Sequence, residues 1–94
     1  MNLSTQLQTE SIRFVAFQVL LNQRRIQAGL SFQQLSERSW VNVAYLHQLE
    51  TGRKGNPGRD VVIKIGIGLG LSVEEVDELL QASGHLPILF PDQK

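Results

Sequence analysis

Three features of this 94-residue sequence predict an all-α fold. Apolar residues recur at helical spacing, and no stretch alternates with the period of two that marks a half-buried strand. Ser31 with Gln34 and Ser72 with Glu75 are capping boxes, each opening an apolar-periodic segment. Gly29, Gly52 and Gly84 stand just past the ends of such segments, where helices terminate. Five helices account for the chain.

The first is expected over about Thr9–Ala28, a run without proline or glycine. Phe14, Phe17, Leu21 and Ile26 lie on one stripe, while Ile12, Val15, Val19 and Leu20 widen it beyond one core face, so a second apolar contact is implied. Leu3 and Leu7, four apart, either extend this helix or form a short one before it. Ser31 caps a short helix, Phe32–Ser39, which buries Leu35 and ends around Trp40. Asn42 caps another, Val43–Glu50, with Leu46 and Leu49 as its apolar side, Tyr45 alongside and Gly52 closing it. Two short helices around a tight turn, the second exposing polar groups, form a helix-turn-helix arrangement.

Thr51 to Arg59 holds three glycines and Pro57 and must be a loop. It carries Arg53, Lys54 and Arg59 and is the most basic stretch of the chain. From Asp60 a fourth helix uses Val62, Ile63, Ile65 and Leu69. Gly66 and Gly68 inside it each cost about 1 kcal/mol relative to alanine, so they are expected where backbones pack closely. After Ser72, a fifth amphipathic helix uses Val73, Val76, Leu79 and Leu80 and ends before Gly84. Its acidic first turn complements the helix dipole.

A single domain over 1–94 is predicted, with its core at about 12–83 and an apolar tail at 84–94. Hydrophobic residues make up 41 % and charged residues 19 %, too apolar for a disordered chain and too mixed for a membrane protein. No cysteine is present, which excludes a disulfide framework and thiolate metal sites. Met1–Ser11 lacks the basic head and apolar core of a secretory leader, and the longest apolar run, Leu86–Phe90, is far too short to span a bilayer; no membrane association and a cytoplasmic location are expected. The net charge is zero, yet eight basic residues face four acidic ones up to Leu71, and one faces five from Ser72 onward. Such asymmetry orients a domain on an anionic surface even when the total cancels.

Catalysis and cofactors are not expected. His47 and His85 are the only histidines, and no acid, base and nucleophile cluster emerges. His47 and Glu50 have the three-residue spacing of metal ligands, but Glu50 has a better structural role, and no metal is predicted. Gly66 to Gly70 lacks the spacing and the preceding strand of a nucleotide loop.

Four spaced blocks run in order from Arg24 to Ser72: Arg24-Arg25-Ile26-Gln27-Ala28-Gly29-Leu30-Ser31, Gln34-Leu35-Ser36-Glu37-Arg38, Tyr45-Leu46-His47-Gln48-Leu49-Glu50-Thr51-Gly52-Arg53, and Leu69-Gly70-Leu71-Ser72. Together they resemble the Cro and phage-repressor type (XRE family) of helix-turn-helix DNA-binding domains, over roughly half the chain. The resemblance implies a compact five-helix repressor-like bundle containing a helix-turn-helix. It also implies an ion pair between Arg25 and Glu50, tying the first helix to the end of the recognition helix. The function implied is a sequence-specific double-stranded DNA-binding transcriptional regulator, repressor-like, with the recognition helix, about 42–51, in the major groove.

Carried onto this sequence, the base-contacting positions are Asn42, Val43, Ala44, His47, Gln48 and Thr51. Gln48 has the donor and acceptor to pair with adenine, Val43 and Ala44 suit thymine methyl groups, and His47 can donate to a base or a phosphate. Ser31, Gln33, Arg53, Lys54 and Arg59 are the phosphate-contacting set. Outside such a family, the same residues would read as a solvated helix face and loop.

Three positions depart from the family pattern. Phe32 stands where a DNA-contacting glutamine is usual, Trp40 occupies the turn position of a glycine, and Val43 leaves the first reading position apolar. They support a second reading, a protein-interaction or antitoxin-like helix-turn-helix module with weak or lost DNA binding. Phe32, Trp40 and Ile67 are expected on the surface. Trp40 either caps its own domain as a partly buried aromatic or meets a partner. The tail either packs back across the first or fifth helix or meets a partner. Because regulators of this kind bind paired half-sites, a homodimer on a palindromic operator is expected. Ile67, Leu86, Ile88, Leu89 and Phe90 are its candidate surface, which would equally serve a protein partner.

Overall fold

The computed structural model describes the backbone over residues 3–89 and side-chain surroundings over 16–89. The described residues form five helices: α1 (Leu3–Ala28), α2 (Phe32–Ser39), α3 (Val43–Thr51), α4 (Arg59–Gly68) and α5 (Val73–Ala82). No strand occurs among the described residues. The first helix runs six residues further toward the N-terminus than Thr9, so Leu3 and Leu7 extend it.

Local chemistry sets the boundaries of the shorter helices. The Ser31 hydroxyl accepts from the Gln34 N–H at 3.0 Å, and the Gln34 side chain accepts from the Ser31 N–H at 2.9 Å. Ser72 and Glu75 form the same reciprocal box at the start of α5. The Ser72 backbone N–H holds the Glu75 carboxyl below the ordinary carboxylate range, an effect that its own desolvation opposes. The fourth helix begins at Arg59, its N-cap being Gly58, which has no side chain to cap with.

Among the described residues, twelve buried apolar residues form one core. α1 supplies Phe17 and Leu21, α2 Leu35, α3 Leu46 and Leu49, α4 Val62 and Ile65, and α5 Val76, Leu79 and Leu80, with Val41 and Leu69 from the connections. Helix α2 packs on α4, α4 on α5, and α1 on both α5 and α3. The two glycines inside α4 mark close approaches, as expected. A Cβ at Gly66 would sit 2.6 Å from Val76 Cγ2, and one at Gly68 would sit 2.8 Å from Ser39 Cβ.

The turn between α2 and α3 keeps its left-handed geometry without a glycine. Trp40 has φ 63° and ψ 23°, a conformation in which a bulky side chain is a genuine outlier. It is 88 % exposed, so the domain gains almost nothing by packing it, and self-capping by Trp40 is overturned. A left-handed non-glycine residue costs roughly 1–2 kcal/mol, partly offset because glycine is freer in the unfolded chain. Trp40→Gly is therefore expected to raise stability by about 0.5–1 kcal/mol and the melting temperature by several degrees, read by calorimetry. A lower melting temperature would mean that the indole makes contacts that matter.

Candidate nucleic-acid interface

The third helix is capped by Asn42, whose carboxamide oxygen accepts from the N–H groups of Ala44 and Tyr45 at 2.8 and 3.1 Å. That capping leaves the Asn42 amide nitrogen for another partner. Leu46 and Leu49, each 1 % exposed, pin one side of α3 into the core. The opposite side carries Ala44, His47 and Thr51 in the open, with Val43 and Gln48 half-buried at its margins. The Thr51 hydroxyl donates back to the His47 carbonyl at 2.9 Å. The residue itself stays exposed.

The end of α3 is held by a polar clamp. Arg25 Nε and Nη2 donate to the two carboxylate oxygens of Glu50 at 2.8 and 2.9 Å, a bidentate pair, and Nη1 donates to the Leu30 carbonyl at 2.9 Å. Asn22 adds a bond to Glu50 at 2.6 Å. The side chains of Arg25 and Glu50 are only 12 % and 5 % exposed, so this is a desolvated pair with nearly all its donors and acceptors matched. The Glu50 hydrogen bonds raise the Arg25 pKa further above its ordinary value, against the opposing desolvation, and the guanidinium is charged at every working pH.

Phe32 is half-buried rather than exposed, which corrects the expectation for that residue. The Arg25 guanidinium lies 4.0 Å from the centroid of its ring, in cation–π contact. The His47 ring meets it edge-on, with centroids 5.1 Å apart and planes at 74°. The glutamine position of the family pattern thus holds an aromatic plate that joins the N-terminus of α2 to the outer side of α3.

Beside this plate, Ser31 serves as N-cap and Gln33 donates to Glu37 at 3.3 Å, both on the exposed start of α2. After α3, Gly52 turns the chain at φ 83°, where a Cβ would meet the Gln18 amide at 2.8 Å. Arg53 and Lys54 follow, exposed and without a salt bridge among the described residues. Arg59 is placed differently: its guanidinium donates to the Leu86 and Pro87 carbonyls at 3.1 and 3.3 Å. Ile67 is 66 % exposed on α4, and Leu86, Ile88 and Leu89 are exposed on the tail. Phe90 lies outside the described residues.

Sequence reasoning missed Asn22, Gln18 and the tail's tie to Arg59. Each acts across 27 residues or more, and no local pattern signals such contacts. No helix among the described residues is long and apolar enough to cross a membrane.

A family profile described as a helix-turn-helix domain matches residues 17–79, two thirds of the chain. No curated protein and no solved structure matches it. The matched span opens at Phe17, the first described core residue of α1, and closes at Leu79 in α5, so it takes in the described core almost entirely. With five helices, a clamped third helix and a profile match over that same core, the chain belongs to the helix-turn-helix domain family, in keeping with its XRE-type resemblance.

Proposed function

We propose that this protein is a sequence-specific double-stranded DNA-binding transcriptional regulator that lays α3 in the major groove. The observation that carries the reading is the two-sidedness of α3. Leu46, Leu49 and the Arg25–Glu50 clamp fix one side, while Asn42, Ala44, His47, Gln48 and Thr51 line the other and run directly into Arg53 and Lys54. A basic loop beside a polar helix face suits phosphate positioning plus base readout. In this reading Val43 joins the base-contacting set, Ser31, Gln33 and Arg59 approach phosphates, and a homodimer on a palindromic operator uses Ile67, Leu86, Ile88 and Leu89.

Selection from a random duplex library at several salt concentrations tests the proposal. Specific binding with a steep salt dependence is expected, each phosphate contact contributing about 0.9 to the slope. Arg53→Ala and Lys54→Ala should each lower the slope by about 0.9 and weaken all sequences alike. Gln48→Ala should instead cost about 1–3 kcal/mol against the preferred site, relax the sequence preference at one base pair and leave the slope unchanged. A monomer in light scattering, with and without operator, would remove the dimer from the proposal.

A second reading, a protein-interaction module with weak or lost DNA binding, is favoured by one observation: an 88 % exposed tryptophan held in left-handed geometry. Absence of duplex binding even at low salt would transfer the assignment to it.

A further inference from the structure

We propose that His85–Leu89 is a positioning strap for the basic loop of the DNA-binding surface, an inference that rests on the DNA-binding reading above. The segment is held by polar ties, to its backbone and through the His85 ring, more than by apolar packing. Asp77 on α5, itself 6 % exposed, accepts the Ile88 N–H at 2.6 Å with one carboxylate oxygen and the Leu89 N–H at 3.0 Å with the other. Arg59 donates to the carbonyls of Leu86 and Pro87, and the His85 ring donates from Nε2 to the Pro57 carbonyl at 2.8 Å. Meanwhile Leu86 and Leu89 are 66 % and 51 % exposed, so apolar packing does little to fix them.

A buried carboxylate without a cation is costly unless its lone pairs are matched. Asp77 takes part in no salt bridge among the described residues, and strap amides are its hydrogen-bond donors. The acid is therefore explained by the strap, and what the strap grips is the far end of the loop between α3 and α4. That loop contains Gly52, Gly55 and Gly58 with Asn56 at φ 51°, a composition with high intrinsic freedom. Its near end is tied by the Lys54 N–H to the Gln48 carbonyl at 3.1 Å. Its far end is tied through Pro57, which is buried, and Arg59, both bonded to the strap. A loop pinned at both ends presents Arg53 and Lys54 to phosphates with less ordering cost on binding. Asp77 and His85 are thus positioning residues, acting through the loop.

The test uses the full chain and the duplex selected from the random library. Asp77→Ala is expected to weaken binding about fivefold to tenfold, the size of ordering one or two long side chains. His85→Ala, which leaves the core untouched, should act in the same direction. Both losses should shrink when Arg53 and Lys54 are already alanine, leaving only what Arg59 contributes, and in both the amides of residues 53–56 and 58 should exchange faster while those of α3 and α5 keep their protection. Unchanged affinity and exchange would overturn the proposal. So would an equal loss in the background lacking Arg53 and Lys54, which would mean a general loss of stability. Tighter binding would also overturn it, because the strap would then be competing with DNA for Arg59. Should the parent chain bind no duplex, the DNA-binding reading falls on its own, and loop exchange in the two variants still decides whether the strap orders the loop.

Discussion

Arg25→Ala is expected to destabilise the domain by about 3–5 kcal/mol, the usual cost of removing one partner from a buried ion pair. The loss is large because the Glu50 carboxylate, only 5 % exposed, would keep a single tie, to the Asn22 amide at 2.6 Å. Two further contacts go with the guanidinium, its bond to the Leu30 carbonyl and its stacking over Phe32, and with the latter goes support for the plate against which His47 rests. Glu50→Ala should cost a similar amount, leaving Arg25 with one carbonyl and one aromatic face. The double variant is the informative one. Removing both charges leaves neither stranded, so its loss should fall well short of the sum, with a coupling of at least about 2 kcal/mol in urea unfolding. Two small, additive losses would mean that solvent already screens the pair. Against a total stability of about 5–15 kcal/mol for such a domain, either single change leaves a marginal fold. Under the proposed function, DNA affinity should fall with it, since the pair anchors the end of α3.

Gly68→Ala should destabilise by about 2 kcal/mol, against the direction that helix propensity predicts. Alanine in a helix interior is favoured over glycine by about 1 kcal/mol, so propensity alone makes this a stabilising change. The added methyl, however, would sit 2.8 Å from Ser39 Cβ and 3.0 Å from both Ser39 Cα and N. Two of these atoms are backbone, at the last residue of α2, and cannot swing aside as a side chain does. Relief requires α2 and α4 to separate, which strains the bond from Arg38 Nε to the Gly68 carbonyl at 2.8 Å and opens the core around Leu35 and Ile65. Gly66→Ala provides the contrast. Its methyl meets Val76 Cγ2 at 2.6 Å; Val76 is buried and β-branched, so relief strains one side chain rather than parting two backbones, and a smaller loss is expected. Urea unfolding of both variants tests the ordering; a stabilised Gly68→Ala would show that the two helices have room to part.

Much of the fold was legible because its signals are local. The capping boxes at Ser31 and Ser72 place the starts of α2 and α5, since a hydroxyl reaches only the N–H groups of the next turn. The crowding at Gly66 and Gly68 was legible too, from the propensity that glycine forfeits inside a helix. The start of α4 was missed by one residue because Gly58 caps it without a side chain, leaving no pattern to read. The extent of α1 is not legible in the sequence, because Leu3 and Leu7 suit a continuation and a separate helix equally well.

The candidate site divides along the same line. The sequence by itself determined which side of α3 points outward, because a period of 3.6 sends Leu46 and Leu49 to the core and His47 and Thr51 away from it. It also determined the charge asymmetry between the helix-turn-helix half and the C-terminal half. Only the tertiary structure decided that Phe32 is a plate between Arg25 and His47 and that Trp40 stands in the open. Only it turned Arg59 to the tail and gave the buried Asp77 its partners. Periodicity and caps follow from bonds and clashes within one or two turns, whereas these placements depend on which surfaces meet when segments up to 28 residues apart pack together.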